Sequence, residues 1–159
     1  MYKNFLVIIL IPFFLYSCGY APIYSKSVDK KLNLELLSFK GDREINNTIK
    51  NNLQRYMEKN DKTKILITTS SSYTKSAKTK NLAGDTKSYN IISTAVFKIS
   101  YGEVEKTFSF TEKTTINDLD NKLDEATYEL NIKRNFAILF ADKLIFQLIR
   151  LKWFTNIMK

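Results

Sequence analysis

KSYNIISTAVFKISYGEVEKTFSFTEKTTI, residues 87–116, decides the fold. In an extended chain alternate side chains share a side, so Tyr89, Ile91, Ala95, Phe97, Ile99 and Tyr101 form one apolar face and predict a strand over Lys87–Tyr101. Gly102-Glu103 is a compact hairpin turn. Beyond it Phe108 and Phe110 alternate with Thr107, Ser109, Thr111 and Lys113, which predicts a second strand from Val104 to Ile116. Upstream, between Lys64 and Ala77, ILITTSSSYTKSA combines β-branched residues with a Ser/Thr alternation, a strand growing more polar as it runs outward. Three consecutive strands with short connections predict an antiparallel meander.

Such a meander has one apolar face to cover, and the rest of the chain supplies the cover. Leu32-Asn33-Leu34-Glu35-Leu36 alternates as a fourth strand, stopped by Gly41. Asp42 is placed to cap a helix of about fifteen residues, with Ile45, Ile49, Leu53, Tyr56 and Met57 on its apolar stripe. Asn46, Lys50, Asn51 and Arg55 are expected to face water. A second helix is expected from about Asp124 to Leu151. Its centre, FAILFADKLIFQLI from Phe136 to Ile149, has eleven apolar residues in fourteen, more than one sheet-facing stripe requires. Either it is buried all round, or one face packs on the sheet and the other on a partner. Asp142 and Lys143 argue against a membrane helix, because each costs a few kcal/mol near a bilayer centre. The expected fold is α+β, a two-layer sandwich with two helices on one face of a mostly antiparallel four-stranded sheet, over residues 32–159.

The composition removes most chemistries. The 159 residues fit one domain, and 44% apolar with 13% aromatic residues is too greasy for a disordered chain. There is no His, so the commonest general base and zinc ligand are missing, and the single Cys18 forms neither an internal disulfide nor a metal-ligand set. No catalytic residue, metal or cofactor is assigned. The net charge of +9 suits a polyanionic partner, but the wealth of Lys, Asn and Ile also fits an A+T-biased composition, so charge alone assigns nothing.

The first residues, MYKNFLVIILIPFFLYSC, have one cation, Lys3, then twelve largely apolar residues from Phe5 to Tyr16, then small residues: the order of an export signal. Twelve residues rise only ~18 Å as a helix, against the roughly twenty residues needed to span a bilayer. Leu15-Tyr16-Ser17-Cys18 has the form of a bacterial lipobox, with Tyr16 larger than the pattern usually carries. It places the chain's one Cys where a lipoprotein is acylated. Residues 1–17 are then a lipoprotein signal peptide and residues 18–31 a lipidated tether. Acyl chains contribute about 0.8 kcal/mol per buried methylene, so they anchor a protein to a membrane without a spanning helix. An exported chain does not meet nucleic acid, so the basic character points to membrane, glycolipid or protein.

Cys18-Gly19-Tyr20-Ala21-Pro22-Ile23-Tyr24, with the element order and the closing Ala141-Asp142-Lys143-Leu144-Ile145, resembles the LptE family (also called RlpB) of lipopolysaccharide-assembly lipoproteins. The resemblance runs from Cys18 to about Leu151. It implies a palmitate-type lipid on Cys18 and, with Gly19 rather than Asp after it, a place on the periplasmic face of the outer membrane. It implies a non-enzymatic protein that plugs and helps assemble the LptD outer-membrane β-barrel and binds lipopolysaccharide in transit.

The candidate lipopolysaccharide contacts lie in SSYTKSAKTKNLAGDTKSY, where Lys75, Lys78, Lys80 and Lys87 flank a turn over Asn81–Asp85 with Gly84. Lysine ammonium groups there are suited to replace the divalent cations that crosslink glycolipids; an ordinary solvated lysine loop is the alternative. Tyr73 and Tyr89 flank the loop, either against a ligand or covering the core edge. Lys122, in the loop before the second helix, is a further candidate by its resemblance in position to a basic site of the family. Two other readings stand beside this one. A free-standing periplasmic lipid-binding lipoprotein needs a closed apolar cavity. A carboxylate enzyme would draw on Asp118, Asp120, Asp124 and Glu125, although acids before a helix more often favour its positive end.

Overall fold

The computed structural model describes residues 32–58 and 64–157, so the expected signal segment, Cys18, Gly19 and the expected tether lie outside the described residues. Six elements follow in order: β1 (Leu34–Gly41), α1 (Arg43–Gln54), β2 (Ile65–Lys80), β3 (Thr86–Tyr101), β4 (Val104–Asn117) and α2 (Lys122–Ile157). They form the expected α+β sandwich. The sheet order is β1-β2-β3-β4; β1 lies parallel to β2, which it reaches through α1, and the other two pairings are antiparallel.

The expected apolar faces are the ones that meet the helices, except at their ends, where Tyr101 and Met57 are exposed. Ile91, Ala95, Phe97 and Ile99 of β3 are buried with Ile67 of β2 and Ile116 of β4, while Phe108 and Phe110 pack against this cluster from the sheet edge. From α1 come Ile45, Ile49 and Leu53, and from α2 Phe136, Phe140, Leu144 and Leu148. Those α2 positions recur every three or four residues, the repeat that holds one side of a helix against a sheet.

The boundaries differ where local hydrogen bonds outweigh the pattern. β2 runs to Lys80 rather than Ala77, because the rungs Thr79–Ser88 and Lys80–Thr86 continue beyond the apolar positions. α2 starts at Lys122 rather than Asp124, since Asn121 caps it: its side-chain oxygen accepts from the Leu123 N–H at 3.0 Å and its carbonyl from that of Glu125. It runs on to Ile157, 36 residues. α1 is shorter than expected, 12 residues, and the first strand is displaced to Leu34–Gly41, with Leu32 forming an isolated bridge to Met57.

Asn46 is a clear correction. It does not face water but lies buried at 6% exposure, with its amide donating to the Lys40 carbonyl and its side-chain oxygen accepting from the Ser71 hydroxyl at 2.9 Å. It is a polar pin between helix and sheet. Gly41 stands beside it with φ of +101°, and a Cβ there would fall 1.7 Å from the Ser71 carbonyl oxygen. Only glycine fits a backbone crossing this close. Asp42 follows at once and caps α1, accepting from the Ile45 N–H at 3.0 Å.

Gly41→Ala is therefore expected to cost more than the ~1–3 kcal/mol of backbone strain alone, because the clash with β2 adds to it. Gly84→Ala, at φ of +93° in open space, should cost only the strain. Urea denaturation of the two variants measures the difference, and equal losses would contradict the close approach.

Candidate functional site

The long β2–β3 hairpin carries its cations to an exposed tip. The turn is built by Asn81 and Asp85: the Asn81 N–H donates to the Asp85 carbonyl, the Asp85 N–H to the Asn81 side-chain oxygen at 2.8 Å, and the Asn81 amide to the Asp85 carboxylate at 2.9 Å. Gly84 supplies the positive φ and donates to the Asn81 carbonyl. β4 ends opposite Ser88, so the last rung of the hairpin projects past the sheet. Lys80 and Lys87 are exposed there with no acidic partner among the described residues, and Lys78 donates only to the Thr115 hydroxyl at 3.0 Å. Leu82, between them, is fully exposed. Sequence reading passed over it, though an apolar residue inside an Asn-Gly-Asp turn flanked by lysines was a visible signal. The tip thus joins one apolar side chain to three available ammonium groups.

Lys75 and Lys122, by contrast, are ion-paired. Lys75 points toward the helices and donates to Glu125 at 2.6 Å and Glu129 at 2.9 Å, with its ammonium 4.5 Å from the centre of the Tyr89 ring. Lys122 is the first residue of α2, not part of a loop, and bonds Glu125 at 2.8 Å and Asp118 at 2.9 Å. The ladder is continued by Lys133, which pairs with Asp42 at 2.9 Å and lies 4.3 Å from the centre of the Tyr73 ring. Arg134 reaches Glu44 on α1 at 2.7 Å. Tyr73 and Tyr89 therefore sit beneath cations at the core edge. The Tyr73 hydroxyl is buried, and burial first, then the neighbouring Glu129 carboxylate, raise its pKa.

The charges hold one another ionised. Burial penalises the charged form of Lys75, but its bonds to Glu125 and Glu129 outweigh that and raise its pKa; Glu125, then Asp118, raise that of Lys122. Lys122 and then Lys75 lower the pKa of Glu125. For Asp42 burial acts upward, and the Ile45 N–H and Lys133 together bring it below the ordinary value. Of the four acids considered for catalysis, Asp118 and Glu125 are bridged by Lys122, while Asp120 and Asp124 lie exposed. Among the described residues no cluster of His, Cys, Asp and Glu is placed to hold a metal ion.

Two surfaces remain uncovered among the described residues. The sheet face away from the helices is mostly polar, with Ser70, Ser72 and Thr74 of β2, Thr94 of β3 bonded to Thr111 of β4 at 2.9 Å, and Thr115 bonded to Asn90, while Leu66, Ile92 and Val96 interrupt it. On α2 the side opposite the core exposes Ile138, Leu139 and Phe146. Among the described residues the helix is thus not buried all round. No helix among the described residues is long and apolar enough to cross a membrane.

Stability should follow the ladder's pKa directions. The carboxylate contribution is present above the ordinary carboxylate range and is lost as pH falls through the lowered folded values; the lysine contribution is present below the ordinary lysine value and is lost as pH rises through the raised ones. Thermal melting should be flat between roughly pH 5 and 10 and fall on either side. Glu125→Gln should cost about 1–2 kcal/mol, discounted for the partial exposure of Lys75, whereas Asp120→Asn should stay within about 0.5 kcal/mol. Equal melting temperatures for the two variants would contradict the ladder.

No protein-family model and no curated protein matches the chain. Solved structures do resemble it. The crystal structure of the rare lipoprotein B from Shewanella oneidensis superposes with a TM-score of 0.55 at 16% identity, over 79% of this chain and 100% of that one. The solution NMR structure of uncharacterized lipoprotein B from Nitrosomonas europaea gives 0.53 at 12% identity, over 75% of this chain and 84% of that one. At such identities the likeness is one of fold: the chain has the fold of rare lipoprotein B, the RlpB whose family the opening residues Cys18 to Tyr24 resemble.

Proposed function

We propose that the chain is an exported lipoprotein of LptE type, acylated on Cys18 and held at the periplasmic face of the outer membrane. There it plugs and helps assemble an LptD-type β-barrel and contacts lipopolysaccharide as it passes. The observation that carries this reading is the rare lipoprotein B fold in a chain whose one Cys ends a lipobox. The surfaces agree with it. A mostly polar sheet face suits a polar barrel lumen, and the free apolar side of α2 offers a second contact. The hairpin tip offers Lys78, Lys80 and Lys87 to lipid phosphates and Leu82 to acyl chains.

The role is non-enzymatic: the acids nearest one another are already neutralised by lysines. A free-standing lipid carrier would need an internal cavity, but the space between sheet and helices is occupied by Phe97, Phe140, Ile45 and Leu144, all fully buried. Lys75 and Lys122 are assigned to the ladder, and the glycolipid contact is left to Lys78, Lys80 and Lys87.

Affinity-tagged full-length chain should recover a barrel of LptD type from solubilised membranes, and recovery of no barrel would overturn the plug. Reversing Lys78, Lys80 and Lys87 to Glu should weaken lipopolysaccharide binding by about tenfold or more at low salt, and less as salt screens the charges. Unchanged binding would remove the hairpin tip from the contact.

A further inference from the structure

β4 is an outer strand of the sheet, and nothing among the described residues pairs with its free side. It is long, 14 residues, and its pairing with β3 runs without a shift. Outer strands are commonly blunted by bulges, proline or repelling charges. This one has no proline and no bulge, and its charges have an order. Residues 105–113 read EKTFSFTEK, symmetric about Ser109 except that Glu and Lys exchange places.

We propose that β4 pairs antiparallel with β4 of a second copy of this chain, about a twofold axis at Ser109. In that register Phe108 lies opposite Phe110, Thr107 opposite Thr111, Lys106 opposite Glu112 and Glu105 opposite Lys113. Directly opposed residues share a face in an antiparallel pair. Glu105 and Lys113 meet on the outer face and Lys106 and Glu112 on the helix face, as their partners in β3 already place them. Each charged position finds its opposite, and each match occurs twice by symmetry. Sliding by two residues sets Lys106 against Phe110 or Phe108 against Glu112, and parallel in-register pairing sets Glu on Glu and Lys on Lys. One register is therefore favoured, and the common alternatives are penalised.

The helix side adds an apolar contribution. Glu112 is ion-paired to Lys143 of α2. Leu139 and Phe146, four residues before and three after Lys143, share its side of the helix and are 44% and 60% exposed. Phe108 and Phe110, stacked with centroids 6.4 Å apart, are half-buried at the same border. A second copy brings the same four side chains across the axis, which covers the apolar side of α2 near this edge. The inference stands apart from the barrel reading and describes the chain when no barrel occupies that edge.

Sedimentation velocity of the full-length chain in detergent tests it. The unaltered chain should dimerise, and Glu105→Lys or Lys113→Glu alone should raise the dimer dissociation constant by about tenfold or more, since each sets like charges opposite one another twice. The double variant E105K/K113E restores the match and should dimerise like the unaltered chain; a mixture of the two single variants should form heterodimers. A monomeric unaltered chain, single variants that dimerise unchanged, or a double variant that is not restored would each overturn the proposal.

Discussion

The packing of α2 across the sheet is the contact on which the other features depend, and it changes character along the helix. From Phe136 to Leu148 the helix is held by apolar burial, in one cluster with Ile45, Ile49 and Leu53 of α1 and Ile91, Phe97 and Ile99 of β3. From Lys122 to Arg134 it is held chiefly by ion pairs to Lys75 of β2, to Asp42 at the start of α1 and to Glu44, with Ile132 its buried apolar contribution to the core. The 136–148 segment obeys the area rule for apolar surface, about 25 cal/mol per Å² removed from water. The N-terminal segment obeys charge pairing at a partly wet border, where each pair adds little and the network fixes geometry.

That division explains why the hairpin tip stays open. The acids Glu125 and Glu129 take up Lys75, Asp118 with Glu125 takes up Lys122, and the Asp85 carboxylate of the turn accepts from the Asn81 amide, which leaves Lys80 and Lys87 without an acidic partner among the described residues. A cationic tip with Leu82 at its end follows from where the acids were placed. The same economy of contacts leaves the opposite surfaces plain: mostly polar side chains on the outer sheet face and three apolar side chains on the far side of α2.

Much of this was legible in the residues. Period-two alternation over Lys87–Ile116 located two strands and their inward faces, and the three-and-four spacing of Ile45, Ile49 and Leu53 located α1. Asp42 announced its own role as a cap. What could not be read were contacts between residues distant in the chain. Asn46 looks like a water-facing helix residue until Ser71, 25 residues away, meets it. Lys75 looks like a free hairpin lysine until Glu125 and Glu129 arrive from 50 and 54 residues on. Local pattern specifies which face is apolar, and only the topology decides which polar groups are brought together.

Amide hydrogen exchange of the full-length chain, followed along α2 at neutral and at acidic pH, tests the divided helix most directly. Protection over 136–148 should persist at both, while protection over 122–134 should fall selectively once the carboxylates of the ladder are protonated. Uniform loss along the whole helix, or unchanged protection over 122–134 in acid, would contradict it.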